Sequence, residues 1–252
     1  MSDPQRRSQA AGVDGQVEAL LEAAEVRRPT GGVPGRREAL DREEQRIKDA
    51  VLRMGSLVEE AIRRASLALT THDADLALEI IRSDTHVNDA QRTVSRLISV
   101  TIATQNPVAR DLRYLLTLDH VTYELERIAD HASSVAKQVI RLAPEPPLHD
   151  YVHLPEMAER GAVLVHGVLR ALVDIDPVKA REIAVLDDEI DRLYHATFDE
   201  VVELMRADPA NVERGTRIII SSHYLERIGD RATNIAEDIV YLVTGDVEDL
   251  NP

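Results

Sequence analysis

Apolar positions recur along this chain at helical spacing, and the recurrence itself repeats. Leu125, Ile128, Ala132, Val135, Val139 and Leu142 follow one another at steps of three and four residues, and so do Leu225, Ile228, Ala232, Ile235, Ile239 and Leu242. A stripe of this kind gives a helix one apolar seam suited to left-handed bundle packing. The helices are punctuated by pairs of a capping residue and a proline: Asn106-Pro107, Asp176-Pro177 and Asp208-Pro209. The side-chain oxygen accepts from an orphan N–H at the first turn, and proline has no N–H to leave orphaned. Asp73 suits an N-cap and Pro155 a first-turn position, whereas Ala143-Pro144-Glu145-Pro146-Pro147 cannot be helical and reads as a linker. The pattern predicts six helices at about 41–71, 74–104, 107–142, 155–173, 177–206 and 209–244, three on each side of that linker.

The two halves share more than a period. Residues 125–136 read LERIADHASSVA and residues 225–236 read LERIGDRATNIA, a match at a shift of 100. Upstream, Met54, Ala77, Ile80 and Asp84 correspond to Met157, Ala180, Ile183 and Asp187 at a shift of 103. Agreement in order across three helices implies an internal duplication. The expected fold is all-α: two tandem, pseudo-symmetric three-helix bundles, six helices in antiparallel up-down packing. The expected divisions are a first repeat at 41–143, a linker at 144–153, a second repeat at 154–245 and a tail at 246–252. Residues 1–40, rich in Gly and Pro near Pro29, Gly31, Gly32, Pro34 and Gly35, are expected to be a disordered extension with a short helix at 16–26.

Composition narrows the function. The chain is 44% hydrophobic and 30% charged but 3% aromatic, with no Trp and one Phe, Phe198, which suits helices packed through Leu, Ile, Val and Ala. A net charge of −15 argues against nucleic acid as a partner. The absence of cysteine excludes zinc–thiolate, iron–sulfur and cysteine-nucleophile chemistry. No apolar run approaches the ~20 residues of a bilayer span, and Met1–Ala11 lacks a signal-peptide core. A cytoplasmic protein is expected, with membrane contact only through partners. Walker, dinucleotide-binding, Gly-x-Ser-x-Gly and Glu-x-x-His patterns are missing, so no enzyme class is indicated.

The candidate chemistry lies in carboxylate pairs. Glu126 and Asp130, and in the second repeat Glu226 and Asp230, stand one helical turn apart on the side away from the apolar seam. The second helix of the second repeat adds Asp187 and Asp191; the first repeat has Asp84 and the weaker, neutral Asn88. Brought together they would make an all-oxygen site for magnesium, manganese or iron rather than a closed structural zinc site. The competing reading is a solvated face in which Arg127 and Arg227 neutralise the pairs. His131 and His223 are lesser candidates, because Arg231 and Tyr123 stand at the matching positions.

The doubled Leu-Glu-Arg-Ile-x-Asp context, the stretch NPVARDLR at 106–113 and the ending VYLVTG at 240–245 resemble the PhoU family over about residues 41–245. The resemblance implies two three-helix bundles and a regulator that restrains phosphate uptake and phosphate-starvation signalling. Its implied partners are the ATPase subunit of the phosphate ABC transporter and a phosphate sensor histidine kinase, and it implies a homodimer. It also implies a divalent or trivalent metal, iron or zinc in some members, held by Glu126, Asp130, Glu226 and Asp230, with Asp187, Asp191 and Asp84 as further candidates. The rival from another class is a metal-storage or metal-dependent hydrolytic bundle.

Overall fold

The structure, a computed structural model, describes residues 36–148 and 153–251. Its helices are α1 (Arg36–Thr71), α2 (Ala74–Gln105), α3 (Ala109–Leu142), α4 (His153–Asp174), α5 (Pro177–Ala184), α6 (Asp187–Ala207) and α7 (Val212–Thr244), with a turn of 3-10 helix at Pro209–Asn211. Among the described residues there is no strand. The expected disorder and short helix of residues 1–35 lie outside the described residues, as do 149–152 of the linker.

Most boundaries follow the capping logic, and three depart from it. Asp73 accepts from Leu76 N at 2.9 Å, and Asp176 accepts from Val178 N and Lys179 N at 3.0 and 3.1 Å. Asn106, expected to open α3, instead closes α2 in the left-handed region with φ 45°, its N–H donating to Ile102 O. The α3 helix therefore starts later, at Ala109, without a side-chain cap. At the N-terminus, residues 36–40, expected to belong to the disordered extension, form the first turns of α1. Arg37 fixes them by pairing with Asp41 at 2.9 Å and Asp111 at 2.6 Å, and Leu40 is buried. Finally, the single helix expected at 177–206 is broken at Val185–Leu186, where Leu186 N donates to Ile183 O. The break puts Asp187 in the first turn of α6, beside Asp188 and Glu189, where the helix dipole favours negative charge.

The predicted seams form the centre of the molecule. Leu125, Ile128, Ala132, Val135, Val139 and Leu142 are all buried, and so are their six counterparts in α7. The first helices pack as an antiparallel pair, with Glu59 against His166, Arg63 against Glu159 and Gly55 against Leu169. The third helices do the same: Arg113 lies over Tyr241, Glu124 meets Arg231, and His131 stacks on Tyr224. The shift of 100 carries the His131–Tyr224 contact onto Arg231–Glu124, so the seam obeys the duplication. The α2 helix packs on α1 and α3, and α6 on α4 and α7, leaving these two on the outside. One continuous apolar core runs through both bundles.

Candidate functional site

Each signature helix carries its carboxylate pair beside the second long helix of its own repeat. In the first repeat Arg127 spans the pair, with Nε 3.2 Å from Glu126 Oε2 and Nη1 3.1 Å from Asp130 Oδ2. In the second, Arg227 Nε is 3.1 Å from Glu226 Oε2 and Nη1 is 2.7 Å from Asp230 Oδ2. Both arginines thus stand where the ion-pair reading places them. The carboxylates are not freely solvated, however: the Glu226 and Asp230 side chains are 13% and 22% exposed.

The two sites differ in depth. In the first, Asp84 on α2 accepts from Asn88 Nδ2 at 3.3 Å. Burial and then the charge of Asp130 hold Asp84 above the usual carboxylate range, and burial and Asp130 do the same to Glu126. In the second, four carboxylates come together. Asp187 is only 2% exposed, and its Oδ2 accepts from Thr233 Oγ1 at 3.1 Å and Asn251 Nδ2 at 2.9 Å. Burial, then Asp191, with smaller contributions from Asp230 and Glu226, pushes it up to about 7 against the pull of Thr233. Glu226 is also pushed up to about 7, by burial and then Asp230, while Arg227 opposes. Asp191 is raised by burial and then by Asp230.

A glycine explains the difference. A Cβ at Gly229 would overlap Asp187 Oδ1, so Asp187 can lie flat on α7 only because this position has no side chain. The matching residue of the first repeat is Ala129, and there Asp84 stays half-buried.

The histidines sit between the sites. His131 stacks on Tyr224 with centroids 5.8 Å apart, and burial pushes it down to about 4. His223 Nδ1 lies 3.5 Å from Glu226 Oε2 and its ring tilts against Tyr224 and Tyr194.

Asp187 Oδ1 and Asp191 Oδ1 are buried without a hydrogen-bond partner, Asp230 Oδ2 faces the Arg227 guanidinium, and Glu226 Oε2 faces Arg227 and His223. Orphaned carboxylate oxygens, mutually repelling and desolvated, are a donor set that fits a hard cation. As the side chains stand, no three His, Asp or Glu among the described residues are arranged to hold a metal ion. Arg227 and the Asn251 amide occupy the space instead. Sequence reasoning missed Thr233, Gly229 and Asn251. The Gly229/Ala129 difference was visible in the repeat alignment, but Asn251 gave no signal, because only the folded tail brings it here.

The family described as PhoU domain matches the chain twice, over residues 51–139 and 154–239. A Clostridium acetobutylicum relative, described as a phosphate-specific transport system accessory protein PhoU homolog, is 36% identical over 209 residues, covering 82% of this chain and 95% of the relative. A Rhizobium meliloti protein of the same description is 36% identical over 211 residues, covering 82% and 88%. The crystal structure of PhoU from Pseudomonas aeruginosa superposes with a TM-score of 0.78 at 33% identity, covering 82% of this chain and 99% of that one. The phosphate transport system regulatory protein PhoU from Streptococcus pneumoniae gives a TM-score of 0.77 at 30% identity, covering 83% and 99%. With both repeats matched and the fold superposing on solved PhoU structures, this chain belongs to the PhoU family.

Proposed function

We propose that this protein is a regulatory adaptor of phosphate transport that restrains uptake and phosphate-starvation signalling when phosphate is plentiful. The observation that carries the reading is the doubled signature, matched twice by the PhoU domain in a chain similar along most of its length to phosphate transport accessory proteins. The adaptor links the ATPase subunit of a phosphate ABC transporter to a sensor histidine kinase and acts in the cytoplasm. No helix among the described residues is long and apolar enough to cross a membrane, so contact with the transporter runs through protein surfaces. Leu57, Leu67, Leu116 and Phe198 are exposed apolar side chains on long helices, and the reading includes self-association as a homodimer.

The carboxylate sites belong to this reading. Glu126, Asp130 and Asp84 would hold a divalent or trivalent metal in the first repeat, and Glu226, Asp230, Asp187 and Asp191 in the second. The metal supplies positive charge that offsets carboxylate repulsion, and its role is structural rather than catalytic. Binding at the second site requires Arg227 to swing away from Glu226 and Asp230.

Deleting the gene tests the proposal. In phosphate-rich medium the deletion is expected to raise phosphate uptake and starvation-gene expression, with restoration by the wild-type gene. Unchanged uptake and expression would overturn it, and metal-dependent phosphatase turnover lost in Glu126→Ala would favour a hydrolytic bundle.

A further inference from the structure

The C-terminal segment does not trail away from α7. Gly245, at φ 81°, reverses the chain, and the segment runs back beside the helix it has just left. Three contacts fasten it. Arg181 on α5 grips Glu248 through Nε at 2.9 Å and Nη2 at 2.6 Å. Leu250 packs against the core, and its N–H donates to Glu237 Oε1 at 2.9 Å. Asn251 then delivers its carboxamide into the second-repeat site, where Nδ2 donates to Asp187 Oδ2 at 2.9 Å and to Asp230 Oδ1 at 3.3 Å. Among the described residues the first repeat has no such strap. The segment after α3 turns toward α7 instead, where Arg214 donates to Pro146 O at 3.0 Å.

An amide NH2 carries partial positive charge on two hydrogens. Here it sits against two of the carboxylates that the proposed metal would need, in a site where Asp187 Oδ1 and Asp191 Oδ1 are buried without a hydrogen-bond partner. It is a neutral stand-in for a cation. From this geometry we infer that residues 246–251 form a strap over the second-repeat site, and that docking of Asn251 and occupation of the site by a cation exclude one another. The inference rests on the metal reading of the carboxylates given above. A cation that takes Asp187 and Asp230 evicts Asn251. Eviction loosens Leu250 and frees Glu237 and the Arg181–Glu248 pair at the surface. Because the coupling is reciprocal, anything that holds the strap down weakens cation binding by the same factor. The strap therefore converts occupancy of the second site, and not of the first, into a change at the C-terminus.

Hydrogen–deuterium exchange on the full chain tests this, with Mn²⁺ alone as the probe and with Glu126→Ala as the background that silences the first site. In metal-free protein the Leu250 amide, which donates to Glu237 Oε1, is expected to be protected. Saturating Mn²⁺ is expected to raise its exchange while leaving α7 protected. Asn251→Ala is expected to tighten Mn²⁺ binding by about fivefold or more. Asn251→Asp reverses the sign: the added carboxylate is repelled from the empty site and releases the strap, then returns as a ligand when Mn²⁺ is present. A Leu250 amide that exchanges as in an unfolded chain without metal would overturn the strap. Mn²⁺ bound with the tail still protected would overturn the exclusion while the metal reading survives. If neither the wild type nor Asn251→Ala binds Mn²⁺, both fall together.

Discussion

Asp187 shows how one missing side chain sets the character of a site. Without a Cβ at Gly229 it sinks onto α7, loses water and comes under the charges of Asp191, Asp230 and Glu226. A carboxyl raised in this way binds a proton in the folded chain that it releases in the unfolded one. The resulting penalty is absent below its ordinary value near 3.8, grows as pH rises toward about 7, and is complete above that. Asp187→Asn is therefore expected to stabilise the metal-free protein at pH 8 by about 1–3 kcal/mol, and to leave it unchanged near pH 4. Urea unfolding in the presence of a chelator at the two pH values measures it. A variant less stable than the wild type at pH 8 would show that the charge contributes to folding on its own account. The sequence showed that Glu126, Asp130, Glu226 and Asp230 repeat in register, and each pair stands beside its own arginine. It did not reveal that Asp187 is buried, because helical period assigns a face and not a depth, and depth here follows from a glycine on a different helix.

At the scale of elements, local chemistry predicted most of what formed. The three-four seams of α3 and α7 are buried along their whole length, because a stripe of that period has no other way to leave water in a bundle. Caps were legible where an aspartate stands just before the first turn. Asp176 is such a case, with Val178 N and Lys179 N both donating to its Oδ1. Asp176→Ala is expected to cost about 1 kcal/mol, read as an equal fall in unfolding free energy with no change in far-ultraviolet circular dichroism. Asn106 was misread because asparagine can cap either end of a helix. Asparagine tolerates the left-handed region and closes α2, which leaves Val108 to open α3 without a side-chain cap. The break at 185–186 was illegible for another reason: no Gly or Pro marks it.

Across the whole molecule the duplication fixes which helices are equivalent, but not that equivalent helices would pack on each other. That pairing, α1 on α4 and α3 on α7, produces one core in place of two and brings charged residues into the joint between repeats. Glu124, nearly fully buried, receives Arg231 Nη1 and Asn234 Nδ2, each at 3.4 Å, from the opposite repeat. His120 flanks the same joint, with Nδ1 2.6 Å from Asp238 Oδ2 across the seam and Nε2 3.6 Å from Glu124 Oε1 on its own helix. Tyr123 stacks beside it, and Asp119 adds a further negative charge. The hydrogen bond to Asp238 raises the imidazole above its ordinary 6.5 against the opposing effect of burial, with the charges of Asp238, Glu124 and Asp119 in support. A histidine raised in this way adds stability that is fully present below its unfolded value and is lost as pH rises through its folded value. His120→Gln keeps a hydrogen-bonding side chain but removes the charge. It is expected to lower the melting temperature at pH 6 and to match the wild type at pH 9, with the wild-type advantage disappearing above pH 6.5 rather than below it. The imidazole is half exposed, so 0.5 M salt is expected to shrink the difference at pH 6. Melting curves of both proteins at the two pH values check this, and an equal deficit at pH 6 and pH 9 would mean that His120 joins the repeats by packing and not by charge.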